Sequence, residues 1–296
     1  MKTLRSKKAI RFIYILYGII VAFVFLYLRF PSVAFCEYFQ SEFGRIFPNH
    51  RLSIGNISPA LPFGLKFKSL QISNRQGSQW RIDIDRFSFM PEILSYLQGK
   101  SGCRLDAQMY EGDLKGEIGF PEGVKGGPYT AELEIKDLNL GTDSVLTNIT
   151  GYNMAGRLAG NLRAGAKDAF LNDDNIDGVF DISDGYFSLP GPFLGMNSVF
   201  FTSLRIKMSL NKTRLNLAGL ELRSEEMFVN ASGTLLLNEK FSLSNLDIKG
   251  SIEPYADLLK SITSSATKGS LREKLKEGKI PFIIHGTVLN PGIRFI

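Results

Sequence analysis

Leu65-Lys66-Phe67-Lys68-Ser69-Leu70-Gln71-Ile72 carries apolar side chains at its first, third, sixth and eighth positions. Each half alternates with period two, the spacing of a strand with one apolar face. The step of three in the middle would turn the second half to the wrong face of a regular strand. One extra residue, taken up as a β-bulge, returns both halves to one face and bends the strand. The pattern recurs at Ile82, Ile84, Phe87 and Phe89, at Leu133, Ile135, Leu138 and Leu140, and at Leu215, Leu217, Leu220 and Leu222. It appears again at Phe241, Leu243, Leu246 and Ile248, while Leu204, Ile206, Met208 and Leu210 alternate as a plain strand. In a chain that is 44% apolar, about one such window arises by chance, so five windows point to a repeated architecture.

The expectation is a mainly β protein: one elongated, curved antiparallel sheet with a few short helices, and these residues as candidates for lining its apolar face. If the sheet curls without closing, that face is an open trough wide enough for acyl chains. If its halves press together, the same residues form an ordinary core. A closed barrel of the outer membrane would instead need its apolar faces outward, with aromatic girdles. Asn74-Arg75-Gln76-Gly77, Gln98 to Gly102, Asn172 to Asn175 and Asn238-Glu239 read as the connectors. Glycines at 112, 156, 178, 233 and 286 each precede an alternating run and mark strand starts or bends. Pro91 to Leu97 reads as a short helix with proline in its first turn. Pro254 to Lys276 reads as one or two helices, with Tyr255, Leu258, Leu259 and Ile262 as the apolar stripe.

The net charge of +6 resides at one end. Lys2, Arg5, Lys7, Lys8, Arg11 and Arg29 precede the first acid, Glu37, and the other 29 basic residues balance the 29 acidic ones. There is no basic face with interleaved aromatics, so nucleic acid is excluded as a partner. Phe12 to Leu28 is a run of seventeen residues without a charge. It is long enough to cross a hydrocarbon core with Arg11 and Arg29 snorkelling, and Tyr14, Tyr17 and Tyr27 suit the interface. The positive-inside bias puts Met1 in the cytoplasm and everything after Arg29 across the membrane. A cleaved signal peptide ending near Ser32-Val33-Ala34 is the rival reading. The length of the run and Arg29-Phe30-Pro31 favour an uncleaved anchor. The organisation expected is residues 1–30 as tip and anchor, 31–50 as a juxtamembrane helix, and 51–296 as one β-rich domain. In the helix, Val33, Ala34, Cys36, Tyr38, Phe39, Phe43, Ile46 and Phe47 share one side, either to lie on the membrane or to close one end of the sheet.

Signals for chemistry are absent. His50 and His285 are far apart, no Cys or acid cluster has ligand spacing, and no phosphate-binding glycine loop or nucleophile elbow occurs. Asp173, Asp174 and Asp177 form the densest acidic group and read as a solvated loop rather than a calcium site. Cys36 and Cys103, the two cysteines, read as largely buried thiols. The expectation is no enzyme, no cofactor and no metal.

Leu52 to Ile72, with Gly233-Thr-Leu-Leu-Leu, Ser244 to Ile252 and Ile280 to Pro291, resembles AsmA-like proteins. In order, length and ending it is most similar to the type II secretion system protein N (GspN) family of Gram-negative bacteria. The resemblance spans nearly the whole chain on soft motifs. It implies a single-pass inner-membrane protein with a periplasmic β-rich domain acting beside other type II secretion components. For the AsmA-like relatives it implies a U-shaped β-groove associated with movement of phospholipid between membranes. It carries over no catalytic residue.

Overall fold

The structure, a computed structural model, describes residues 2–61, 63–74, 81–92, 101–121, 128–141, 153–166, 175–193, 196–238, 240–256, 258 and 278–296, without the side chains of 2–9, 19, 23, 26, 166 and 190–193. Helix α1 (Lys2–Leu28) is followed, three residues on, by α2 (Ser32–Ile46). The strands that follow are β1 (His50–Ala60), β2 (Gly64–Asn74), β3 (Arg81–Pro91), β4 (Ser101–Met109), β5 (Gly112–Phe120), β6 (Tyr129–Asn139) and β7 (Met154–Ala166). Then come β8 (Asn175–Phe193), β9 (Met196–Asn211), β10 (Arg214–Arg223), β11 (Met227–Leu236), β12 (Asn245–Pro254), β13 (Ile280–Thr287) and β14 (Pro291–Phe295). Together they make one fourteen-stranded sheet whose spatial order is the chain order. Every neighbour pair is antiparallel, and β1 and β14 do not pair with each other, so the sheet is open. Fourteen strands at about 4.8 Å spacing stack to about 60 Å.

The step of three is met in two ways. In β6, Lys136 and Asp137 stand opposite the single residue Ala159, and Asp137 has a φ of 53°. In β10, Ala218 and Gly219 stand opposite Ser232. Both are bulges, at the positions where the repeat predicts them. In β2 the answer differs. Ser69 has a φ of 54°, yet register is kept, because Gly55 in β1 and Asp85 in β3 lie level with it. Ile54 to Ile57, Phe67 to Leu70 and Ile84 to Phe87 each change phase at that level. Three strands therefore kink in unison, and Ile54, Leu70 and Ile84 stay aligned.

The fifth window is corrected. Phe241–Leu243 is a 3-10 turn, and only Leu246 and Ile248 lie in a strand, β12. The local reason is Ser244, which is fully buried. Its Oγ accepts from the Asn238 N–H at 3.1 Å, and its own N–H donates to Phe241 O at 3.0 Å, closing the turn. Leu243 is left exposed. Pro91 is also reassigned, being the last residue of β3 rather than the first turn of a helix. Residues 93–97, 257 and 259–276 of the expected helical segments lie outside the described residues, as do 75–77, 98–100, 172–174 and 239 of the connectors.

Two buried clusters form on the same face of the sheet, one at β1–β3 and one running from the end of β6 to β14. At the first, Ile54, Ile57, Phe67 and Leu70 pack with Leu52, Leu65, Ile84, Phe87 and Phe89, and with Phe30, Cys36 and Phe39. The Phe39 ring meets Phe67 edge-on at 5.5 Å. Of the two roles open to this segment, α2 thus takes the sheet-closing one, although Val33, Tyr38 and Ile46, expected on the same side as Cys36 and Phe39, are exposed. At the second, Ile182, Leu204, Leu222, Ile252 and Ile280 are joined by Leu140 and Leu258. Ile57 is 1% exposed, so Ile57→Ala is expected to lower stability by about 2–4 kcal/mol, read as a fall in the urea midpoint at unchanged slope.

Helix α1 contains the whole uncharged run. Among the described residues, no helix is long and apolar enough to cross a membrane; Ile19, Phe23 and Leu26, within the run, are among those whose side chains are not described.

Candidate functional site: the apolar face

The register aligns the repeats into rows that cross the sheet. One runs Leu65, Phe89, Leu105, Gly116, Leu133, Leu162, Gly178, Met208, Leu217, Gly233, Ile248, Ile284 and Ile293, each opposite the next. A second runs through Phe67, Phe87, Ala107, Leu114, Ile135, Gly160, Phe180, Ile206, Leu220, Ala231, Gly250, Phe282 and Phe295 across the same pairings. On one side of these, Leu138, Leu158, Ile182, Leu204, Leu222, Val229, Ile252 and Ile280 form a third row. On the other, Ile176, Leu210, Leu215, Leu235 and Leu246 continue a fourth that begins at Cys103 and Ile118. Ile72 and Ile82 pair with each other, half-buried, and Leu140 follows β6, fully buried.

The candidate residues therefore divide. Phe67 and Leu70 are buried in the first cluster, and Leu204 and Leu222 in the second. Beyond the first cluster and beside the second, Leu105, Leu114, Leu133, Ile135 and Leu162 are half-buried and belong to neither. This stretch, across β4 to β7, is an apolar strip over which no helix packs among the described residues. Phe241 and Leu243 are not on it. Leu105, Leu114 and Leu162 were missed by the repeat, because β4, β5 and β7 lack the eight-residue pattern. Leu114 and Leu162 do stand in the alternating runs after Gly112 and Gly156, but only the pairing register places all three on one strip.

The other face is charged. Arg104, Glu117, Glu132 and Arg163 sit opposite one another along one line, with ion pairs at 3.2 Å for Arg104–Glu117 and 3.4 Å for Arg163–Glu132. Arg205 meets Asp181 at 2.6 Å. Such exposed pairs contribute little stability. They keep this face in water, so the two faces differ in solvent as well as in sequence. Asp177, opposite Arg163 in β7, belongs to this face; Asp173 and Asp174 lie outside the described residues. Among the described residues no group of His, Cys, Asp and Glu is arranged to hold a metal ion. His285 is exposed in β13, its ring lying over Gly292, and His50 meets Phe47 edge-on at 6.2 Å.

Both cysteines are free thiols. Cys36 packs in the first cluster, and Cys103 lies in β4 opposite Pro91 and Ile118. Burial pushes the Cys103 thiol up and nearby Glu92 adds to this, against a lowering hydrogen bond from the Ile118 backbone. At pH 8 a raised thiol holds less thiolate, so iodoacetamide should alkylate Cys103 several-fold more slowly in the folded protein than in urea. Peptide mass spectrometry over time reads this; equal rates would contradict the placement of Cys103. Burial likewise raises Tyr110, whose hydroxyl donates to Arg81 O at 3.3 Å. Tyr110 and Glu111, both at positive φ, form the two-residue β4–β5 turn.

No protein-family model, curated protein or solved structure matches the chain.

Proposed function

We propose that this is a non-enzymatic protein anchored by α1 in the inner membrane, with its sheet in the periplasm. The sheet curves into an open trough that holds the acyl chains of phospholipid. The observation that carries the reading is the strip at Leu105, Leu114, Leu133, Ile135 and Leu162, apolar, half-exposed and continuous with rows that run the length of the sheet. Burying that surface against a hydrocarbon chain is favourable at about 25 cal/mol per Å². The bulges at Asp137 and at Ala218–Gly219 support curvature, since each bends its strand. The exposed apolar side chains of α1, Phe12, Ile13, Ile15 and Phe25 among them, support the anchor.

The test uses the full chain in its membrane, with a photoreactive phenylalanine at Leu133 or, on the charged face, at Glu132. Irradiation is expected to give adducts of phospholipid mass at residue 133 and none at 132. Equal labelling, or none at 133, would sink the trough.

A second reading is favoured by the resemblance to the type II secretion protein N family: an accessory component of that machinery. It predicts co-purification of the chain with other secretion components from cross-linked membranes. Membranes in which none is recovered would remove it and leave the lipid reading standing.

A further inference from the structure

The end of α1, the start of α2 and the β1–β2 hairpin meet at one corner of the molecule. Leu61 and Phe63 at the hairpin tip are 65% and 52% exposed. Beside them is an apolar hollow of about 340 Å³, bordered by Tyr27, Phe30, Ala60, Leu65 and Phe89. Tyr27 also borders a second hollow, of about 430 Å³, lined by Lys66, Lys68, Arg86 and Lys115 together with Asp106 and Asp113. Arg86 donates from Nε to the amide oxygen of Gln108 at 2.9 Å, a neutral partner. An apolar tip, an amphipathic tyrosine and a mainly cationic hollow thus adjoin within a few residues of the end of α1.

We propose that this corner is a docking surface for the bilayer in which α1 is anchored. Leu61 and Phe63 enter the boundary between headgroups and acyl chains, and Lys66, Lys68 and Arg86 face the phosphates of anionic lipid. The proposal rests on reading α1 as the anchor and adds to it a second point of contact, which fixes the tilt of the sheet. Three features favour lipid over a protein partner. The tip's apolar surface is continuous with the exposed apolar surface of α1 through Tyr27. The three residues between α1 and α2 hold the corner close to the helix end. The cations complement the anionic surface, which attracts them only within about a Debye length.

The test is depth-dependent quenching by brominated phosphatidylcholine, with the full chain reconstituted in vesicles that contain phosphatidylglycerol. The one tryptophan, Trp80, is replaced by phenylalanine, and single reporters are introduced as Phe63→Trp, as Tyr17→Trp within α1 and as Phe200→Trp on the far part of the sheet, where residue 200 is 71% exposed. Insertion predicts that the emission of Phe63→Trp falls by about half in brominated vesicles, that Tyr17→Trp is also quenched, and that Phe200→Trp is unchanged. If Tyr17→Trp is quenched while Phe63→Trp behaves like Phe200→Trp, the corner faces something other than lipid and the proposal fails, with the anchor intact. If Tyr17→Trp is not quenched, the anchor fails and the proposal with it. Adding Lys66→Glu, Lys68→Glu and Arg86→Glu should weaken the quenching of Phe63→Trp in vesicles with phosphatidylglycerol and not in pure phosphatidylcholine. No change in either would overturn the headgroup contact.

Discussion

Gly250→Val is expected to abolish the folded state of the sheet around β12, with a loss of about 3 kcal/mol or more. Gly250 lies between Ala231 of β11 and Phe282 of β13. A Cβ placed there would stand 2.6 Å from the Phe282 Cζ and 2.9 Å from the Ala231 Cβ, and would meet the Asn230 carbonyl oxygen as well. The ring could turn aside, but the carbonyl belongs to the neighbouring strand and cannot move without breaking the ladder. Phe282, Ala231, Ile252 and Ile280 are all buried in the second cluster, and Ile280 is 0% exposed, so no adjacent space absorbs the displacement. Gly219→Ala is the control, since a Cβ at Gly219 meets nothing within 4 Å; its effect should stay within about 0.5 kcal/mol. Urea titration followed by circular dichroism separates the two. A Gly250→Val protein with the wild-type midpoint would show that the row is looser than the pairing implies.

The second large effect concerns binding. Leu133→Glu places a carboxylate midway along the half-exposed strip, opposite Gly116 and Leu162. In the free protein the charge reaches water, so stability should change by less than about 1 kcal/mol. With an acyl chain in the trough the same carboxylate must be desolvated without a partner, which costs more than the chain's local contact returns. At about 1.4 kcal/mol per decade, recovery of phospholipid with the purified protein should fall at least tenfold. Quantitative lipid mass spectrometry checks this, with the thermal midpoint measured alongside. Unchanged lipid in a folded Leu133→Glu protein would remove the strip from the lipid path.

The sheet was legible in the chain because alternation records which face of a strand meets water, a local property. Leu204 to Leu210 and Leu215 to Leu222 read correctly for that reason, and the bulges at Asp137 and Ala218–Gly219 followed from the broken phase. Phe241 to Ile248 misled because its first half satisfies the pattern while Ser244 closes a turn through a bond to Asn238, six residues back. The pattern registers polarity and is blind to a buried hydroxyl with a partner. The unison kink of β1 to β3 was hidden for another reason. Its β1 part involves only Ile54 and Ile57, too few for a repeat, and its meaning lies in the alignment of Gly55, Ser69 and Asp85. The central strip was legible in part. Leu133 and Ile135 stood out, whereas Leu105, Leu114 and Leu162 join it through strand order, which emerges only when the chain is paired.

Because spatial order follows chain order from first strand to last, each hairpin answers only to the two beside it. A molecule built this way is extensible. Duplicating one hairpin inserts about 10 Å of length and leaves every other pairing as it was, much as solenoids grow by whole repeats. The reach of the molecule away from its two N-terminal helices is thus a quantity that selection can adjust in steps, without redesigning either end.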